Sequence, residues 1–447
     1  MKETINKDSA INDTVSINNI YTLDGKVPIG KSIPFGLQHV LAMFVANIAP
    51  IMIVAGACGL TAQNTAALIQ TAMIVAGIGT FVQLFTVWRL GARLPIVMGI
   101  SFTFVSIFCY VGPRWGYEAV IGAVLVGGCI EGILGLFAKY WRGLVAPIVA
   151  ACVVTSIGFS LLSVGANSFG GGNGAADFGS AQNWFLGTVT LLCCLLFHII
   201  AKGPVKQLSV LFGLTVGYVL AIFMGMVDFS ALQGVKAVSV PEFLPFTPVF
   251  NFNAIISVVL IFLVSATETI GDTSAMTNTV LHREPTDKEI SGALACDGFV
   301  SSFSALFGCM PITSFSQNVG HLAMTKVINR RTIATGATIM VIAGIIPAIG
   351  AILATLPEAV LGGCTIMMFG NIVLSGLQMI GDCGYTQRNI TIAALSLSIG
   401  LGFTQVPEIF AIFPDIIRTV FGENCVAVVF LTAIILNLVL PKEEPTE

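Results

Sequence analysis

Charge is scarce in this chain. Asp, Glu, Lys and Arg together make up 10% of its 447 residues, against about 25% in a soluble globular domain. Hydrophobic residues make up 55% and mean hydropathy is +0.93. That balance excludes a soluble enzyme with a large core and sets the class as a polytopic membrane protein. The first thirty residues carry Lys2, Lys7 and Lys26 but no apolar run, so they are expected to form a cytoplasmic tail and not a cleaved signal peptide. Eleven cysteines lie mostly in apolar segments, with no Cys-x-x-Cys among them. They read as small packing residues, and no metal site is expected. No His-rich, Asp-Asp or Gly-x-Ser-x-Gly setting supplies the nucleophile or metal set an intramembrane enzyme would need. With a net charge of −3 and no basic cluster, nothing points to nucleic acid.

What the chain has is apolar runs. Fourteen are expected to span the bilayer: 34–56, 64–88, 95–110, 117–137, 145–164, 184–200, 207–227, 253–276, 290–309, 314–328, 332–354, 358–377, 388–404 and 421–440. Basic residues orient them. With the N-terminus inside, sixteen of the twenty fall on inner segments, and only Arg114, Lys236 and Arg418 fall outside. Lys326 closes span ten on the inner side. Both termini are therefore expected in the cytoplasm. Fourteen divides into seven and seven, and an odd repeat enters the membrane the second time from the opposite side, giving an inverted repeat.

The third span of each half is short and interrupted. Span three runs Leu94-Pro95-Ile96 to Gly99-Ile100-Ser101-Phe102, and span ten opens Met310-Pro311-Ile312. Interrupted segments at matching positions point to a binding site near the midplane. Exposed backbone is tolerated there where protein or a water-filled cavity satisfies it. The plainer alternative is a pair of tight extracellular turns. Span ten continues Ser314-Phe315-Ser316-Gln317-Asn318-Val319-Gly320-His321 up to Thr325-Lys326, and polar side chains this deep usually face a partner helix or a cavity.

Span eight supplies acids in Ser265-Ala266-Thr267-Glu268-Thr269-Ile270-Gly271-Asp272. Glu268 and Asp272 share a helical face and repel as like charges, which suits the pair to gaining and losing a proton. Asp297, in span nine, reads equally as a proton site or as a carboxyl holding helices together. The small residues around it, Ser291, Gly292, Gly298, Ser301 and Ser302, suggest close packing. His39 at the start of span one reads first as a polar clamp, His321 has no assigned role, and His198 and His282 read as peripheral. Phe102 and Phe315, one from each broken segment, are placed to sandwich a flat ring.

Taken together, Gln38-His39, Ser101-Phe102, Glu268-Thr269-Ile270-Gly271-Asp272, Asp297-Gly298, Gln317 to Lys326 and Leu356-Pro357 with Val360-Leu361-Gly362-Gly363 resemble the nucleobase–ascorbate transporter, or nucleobase:cation symporter-2, family. The resemblance runs over nearly the whole chain. It implies an all-α fold of fourteen spans with short antiparallel strands in spans three and ten. It also implies a core domain (34–137 and 253–354), a gate domain (145–227 and 358–440) and tails at 1–33 and 441–447. A homodimer through the gate domains, and elevator-like access in the plasma membrane driven by protons with no other cofactor, follow from it as expectations. The implied substrate is a purine base. Glu268 would accept its N–H bonds, Gln317 would meet the opposite edge, and Phe102 and Phe315 would stack on the ring. Ser101, Ser316 and Asn318 would line the site, Asn318 positioning Gln317, while Asp272, Asp297 and His39 would form the supporting or proton-linked network. Uracil carriers of the family usually have Glu where this chain has Gln317, so the pair Gln317-Asn318 is similar to that of xanthine and uric acid carriers. The alternatives are a uracil or other nucleobase symporter and, further off, an anion exchanger of the same architecture.

Overall fold

The structure, a computed structural model, describes residues 15–172, 174–232, 235–422 and 424–441. The expected tails at 1–33 and 441–447 thus lie partly outside the described residues. Helices occupy the apolar runs: α1 (Ile29–Ala57), α2 (Ala62–Phe85), α3 (Val105–Trp115), α4 (Tyr117–Leu136), α5 (Pro147–Phe169), α6 (Ala181–Ile200) and α7 (Ser209–Phe223). They continue with α8 (Phe252–Leu281), α9 (Asp287–Leu306), α10 (Ser316–Thr325), α11 (Arg330–Ile345), α12 (Glu358–Asp382), α13 (Gln387–Gln405) and α14 (Cys425–Val439). Local chemistry fixes several starts. Thr61, Ser180, Asn329 and Thr386 each accept an N–H from the first turn of the helix that follows, and Thr286 with Glu289 forms a full capping box at α9.

Among the described helices, seven (α1, α2, α4, α5, α6, α8 and α12) are long and apolar enough to cross a membrane. The run expected as one span over 332–354 is not straight. It bends by 78° between α11 and a second helix, Pro347–Ala354. Pro347 has no N–H to continue the ladder and its ring clashes with the preceding turn, so the helix must restart there.

Two sets of helices pack mainly among themselves. In the first, α4 lies along α9, α2 and α1 lie on α11, and α8 lies on α4. In the second, α5 lies along α12, α6 on α7 and α12, and α13 and α14 on each other and on α5. Small residues set the closest approaches. A Cβ at Gly298 of α9 would stand 2.1 Å from the Gly132 nitrogen of α4, and one at Gly336 of α11 would stand 2.6 Å from the Gly36 oxygen of α1. The close packing expected of the Gly298 helix is therefore backbone against backbone.

Between α2 and α3, and again between α9 and α10, the chain is extended. The strands β1 (Met98–Ile100) and β2 (Ile312–Ser314) pair antiparallel, Met98 opposite Ser314, Gly99 opposite Thr313 and Ile100 opposite Ile312. Both are buried along their length. The two broken segments thus cross each other inside the first helix set.

Candidate functional site

Extended backbone in an apolar interior needs partners for every polar group, and side chains of the surrounding helices provide many of them. Asn47 Oδ1 of α1 accepts the Ile100 N–H at 2.7 Å. Thr80 Oγ1 of α2 accepts the Met98 N–H at 3.0 Å. Ser301 Oγ of α9 accepts the Ile312 N–H at 3.1 Å. Asp297, fully buried, accepts from four donors: Ser314 N–H at 2.9 Å and Thr269 Oγ1–H at 2.7 Å on one oxygen, Gln83 Nε2–H at 3.0 Å and Ser314 Oγ–H at 3.0 Å on the other. Gln83 in turn accepts the Ala92 N–H at 2.9 Å. Of the two readings open for Asp297, the geometry supports the clamp: it ties β2, α2 and α8 to α9.

The ends of the strands and the residues that follow them, 100–102 and 313–321, meet at one cavity of about 590 Å³, a size that suits a small ligand. Glu268, Asp272, Phe102, Phe315, Ser101, Ser316, Gln317, Asn318 and His39 all line it. Of the ten sequence-predicted residues, the structure gathers nine at one place and leaves Asp297 behind them. Gly99 lets β1 pack closely on α1 and on the Phe315 ring. A Cβ there would meet Met43 at 2.9 Å, the Phe315 ring at 3.0 Å and Asn47 Oδ1 at 3.1 Å. Phe102 is held edge-on by Phe369 of α12, with ring centroids 5.4 Å apart. Ser101 Oγ accepts the Thr103 N–H at 3.3 Å and so starts the turn carrying Phe102.

The acids are linked by one hydroxyl. Ser316 Oγ lies 2.9 Å from Glu268 Oε1 and 2.6 Å from Asp272 Oδ2, while Thr103 Oγ1–H donates to Glu268 Oε2 at 2.6 Å. A serine has a single O–H, so it can donate to one carboxylate only. The second contact is a hydrogen bond when the other acid carries a proton and donates to Ser316 Oγ. Beside it, Gln317 is exposed to the cavity, and its side chain has no hydrogen-bond partner among the described residues. No side chain caps the N-terminus of α10, leaving its first N–H groups and its positive dipole end at the same place.

Asn318 is engaged elsewhere than on Gln317. Its Nδ2 donates to the Pro95 carbonyl at 3.4 Å, which orients the amide, and His39 Nδ1–H therefore donates to Asn318 Oδ1 at 3.0 Å. His39 also meets the His321 ring edge-on at 4.4 Å between centroids. His39 thus joins α1 to α10 through Asn318, and His321 packs against its ring.

Several residues escaped the sequence reading. Thr103, Gln83, Asn47 and Thr269 look ordinary in apolar runs, and only the crossing strands give them work. Glu131, in the middle of α4 and 1% exposed, was legible as an intramembrane acid. Neither of its oxygens has a hydrogen-bond partner among the described residues. His198, expected to be peripheral, instead lines the cavity, as does Lys206.

The Permease family model, Xan_ur_permease, matches residues 30–409. The chain belongs to this permease family. It is the nucleobase:cation symporter-2 family indicated by the sequence motifs, which makes the chain an integral membrane transporter and not an enzyme. Xanthine permease XanQ of Escherichia coli (strain K12) is 33% identical over 437 residues, covering 94% of each chain. Uric acid permease PucK of Bacillus subtilis (strain 168) is 34% identical over 414 residues, covering 92% of this permease and 95% of its relative. Among solved structures, the transmembrane domain of the cyanobacterial bicarbonate transporter BicA superposes with a TM-score of 0.58 at 15% identity, covering 89% of this chain and 97% of that one. SLC26A9 does so at 0.59 and 12%, covering 96% and 70%. These likenesses show the fold alone.

Proposed function

We propose that this permease is a proton-coupled symporter that imports an oxidised purine base, xanthine or uric acid, across the plasma membrane. The observation that carries the reading is the convergence in one cavity of two carboxyls sharing one serine hydroxyl, an unengaged Gln317 amide and two rings, Phe102 and Phe315. A purine presents flat faces and alternating N–H and C=O edges, and each has a counterpart there. Glu268 accepts ring N–H groups, Gln317 offers both an acceptor and a donor to the opposite edge, and the rings cover the faces. Relatives named for xanthine and uric acid support the substrate class.

The transport step we infer builds on a division into two domains. Residues 34–137 and 253–354 are taken as the core domain and 145–227 with 358–440 as the gate domain, a division that the two helix sets support. The chain makes fourteen spans as an inverted seven-plus-seven repeat with both termini cytoplasmic, and two copies meet through their gate domains. Substrate and proton enter from outside, the shared proton neutralises the buried charge, and the core slides past the gate to release both inside.

A uracil carrier is the nearer rival and differs at Gln317. Gln317→Glu removes the amide donor, and it is expected to weaken xanthine binding about tenfold, the worth of one hydrogen bond. Competition of labelled xanthine uptake by a panel of nucleobases checks this, and an unchanged inhibition profile removes Gln317 from the specificity shell. An anion exchanger shares the fold, but two carboxyls lining the cavity repel a small inorganic anion. The whole reading is tested by radiolabelled xanthine uptake in cells lacking purine carriers. Uptake should be blocked by xanthine or urate, ignored by uracil and collapsed by a protonophore. Dominance of uracil would overturn the substrate, and indifference to the protonophore would overturn the coupling.

A further inference from the structure

The cavity has a second charged feature that the substrate site leaves unused. The link between α6 and α7 turns sharply through Gly203, at a positive φ of 62°, into a short helical turn over Gly203–Leu208. That turn packs against α10 and α1 and brings Lys206, with His198 from the last turn of α6, to the wall of the cavity that holds Glu268 and Gln317. Among the described residues neither side chain makes a hydrogen bond or an ion pair. The other titratable groups lining the cavity are Glu268, Asp272, His39 and His321. Glu268 and Asp272 share Ser316, and His39 and His321 pack on each other. Lys206 is therefore a cation lining the cavity with no ion-pair partner among the described residues. A lysine serving only to anchor the cytoplasmic interface would need no such position.

Oxidised purines are weak acids that shed a ring proton near neutral pH, uric acid more readily than xanthine. An anion beside two carboxyls is repelled by them, and a cation elsewhere on the cavity wall offers it a place to bind on its way out. We propose that Lys206, assisted by His198, forms an inner-mouth subsite for the anionic form of the purine. It would bind the anion in transit between the central site and the cytoplasm. The subsite rests on the purine symport reading above and adds to it a charge preference on the inner face. A fixed positive charge in a cleft changes encounter rates by about tenfold or more, and its effect fades as salt screens it.

The test uses inside-out membrane vesicles containing the wild-type permease, Lys206→Gln or Lys206→Arg, with radiolabelled urate or xanthine offered at the cytoplasmic face. Lys206→Gln is expected to raise the half-saturating urate concentration about tenfold, to affect xanthine less, and to lose most of that difference at high salt. Lys206→Arg should stay within about twofold of wild type, since it keeps the charge. In intact cells, where the purine arrives from outside, the Gln variant should bind urate as wild type does. Equal half-saturation for wild type and Lys206→Gln in the vesicles overturns the subsite and leaves symport intact. So does an Arg variant as impaired as Gln, which would mark the position as structural, or an equal loss of affinity from outside, which would place the defect at the central site. Wild-type vesicles that move neither purine overturn the symport reading and the subsite with it.

Discussion

Glu268→Gln is expected to abolish purine accumulation while leaving the folded protein in the membrane. The substitution is isosteric, and its surroundings can absorb it. Thr103 Oγ1–H, 2.6 Å from Glu268 Oε2, can donate to the new amide oxygen. The amide nitrogen can then donate to Ser316 Oγ, which lies 2.9 Å from Glu268 Oε1 and remains free to give its own hydrogen to Asp272. Every group in the small network stays satisfied, so stability should hardly change. What disappears, under the proposed symport, is the place for a proton between two carboxyls. With an amide at 268, Ser316 meets a single carboxylate, and no second acid competes for its hydrogen. Under the same proposal the substrate loses a charged acceptor, and a hydrogen bond to a charged group is worth about 1.5–3 kcal/mol, or roughly 10- to 100-fold in affinity. Uptake against a gradient, with and without a protonophore, measures the first effect. Ligand-dependent thermal stabilisation of the purified protein measures the second. Near-normal uphill uptake by the variant would remove Glu268 from the mechanism.

Much of the candidate site is legible in the sequence alone, and the reason is the solvent. In a bilayer a polar residue is costly wherever it is not used, so Glu268, Asp272, Gln317 and Asn318 stand out from apolar runs. Pro95 and Pro311 likewise mark where helices cannot continue. What the chain could not display is which polar group meets which. Ser316 looked like one more site-lining serine, yet its single hydrogen couples the two acids. Asn318 was expected to position Gln317, yet it is held by His39 and Pro95. Both outcomes depend on how far α10 is rotated relative to α8 and α1, and local sequence does not carry that angle. His198 was misjudged for the same reason, because its place on the cavity depends on the turn through Gly203 folding back onto α10. The bend at Ile346 was different. Pro347 was in plain view, but a long apolar run outweighed it.

Asp297 is where sequence alone could not choose, and it gives the second large effect. Asp297→Asn is expected to destabilise the protein itself, unlike Glu268→Gln. The carboxylate accepts four hydrogen bonds, and two of the donors are constrained. The Ser314 N–H at 2.9 Å belongs to strand β2 and cannot turn away. The Gln83 amide is fixed because its oxygen already accepts the Ala92 N–H at 2.9 Å. An asparagine can place its oxygen toward Ser314 N–H and Thr269, but its nitrogen then faces Gln83 Nε2, donor against donor, at the 3.0 Å now spanned by a hydrogen bond. Turning Gln83 over to relieve that clash leaves Ala92 N–H buried without its acceptor. Either way one buried donor is stranded, at a cost of about 1–3 kcal/mol. Asp297→Ala strands several and should cost about 3–5 kcal/mol, as for a broken buried charge network. Thermal unfolding in detergent, alongside surface abundance and uptake, separates the roles. A proton carrier would lose uphill transport with its stability intact, whereas a clamp loses stability first and loses transport in proportion to the folded protein that remains. An Asn variant as stable as wild type would show that β2 does not depend on this carboxylate. The strand crossing, and with it the placement of Phe315, Ser316 and Gln317, would then have to be held by its backbone pairing and the Asn47, Thr80 and Ser301 side chains.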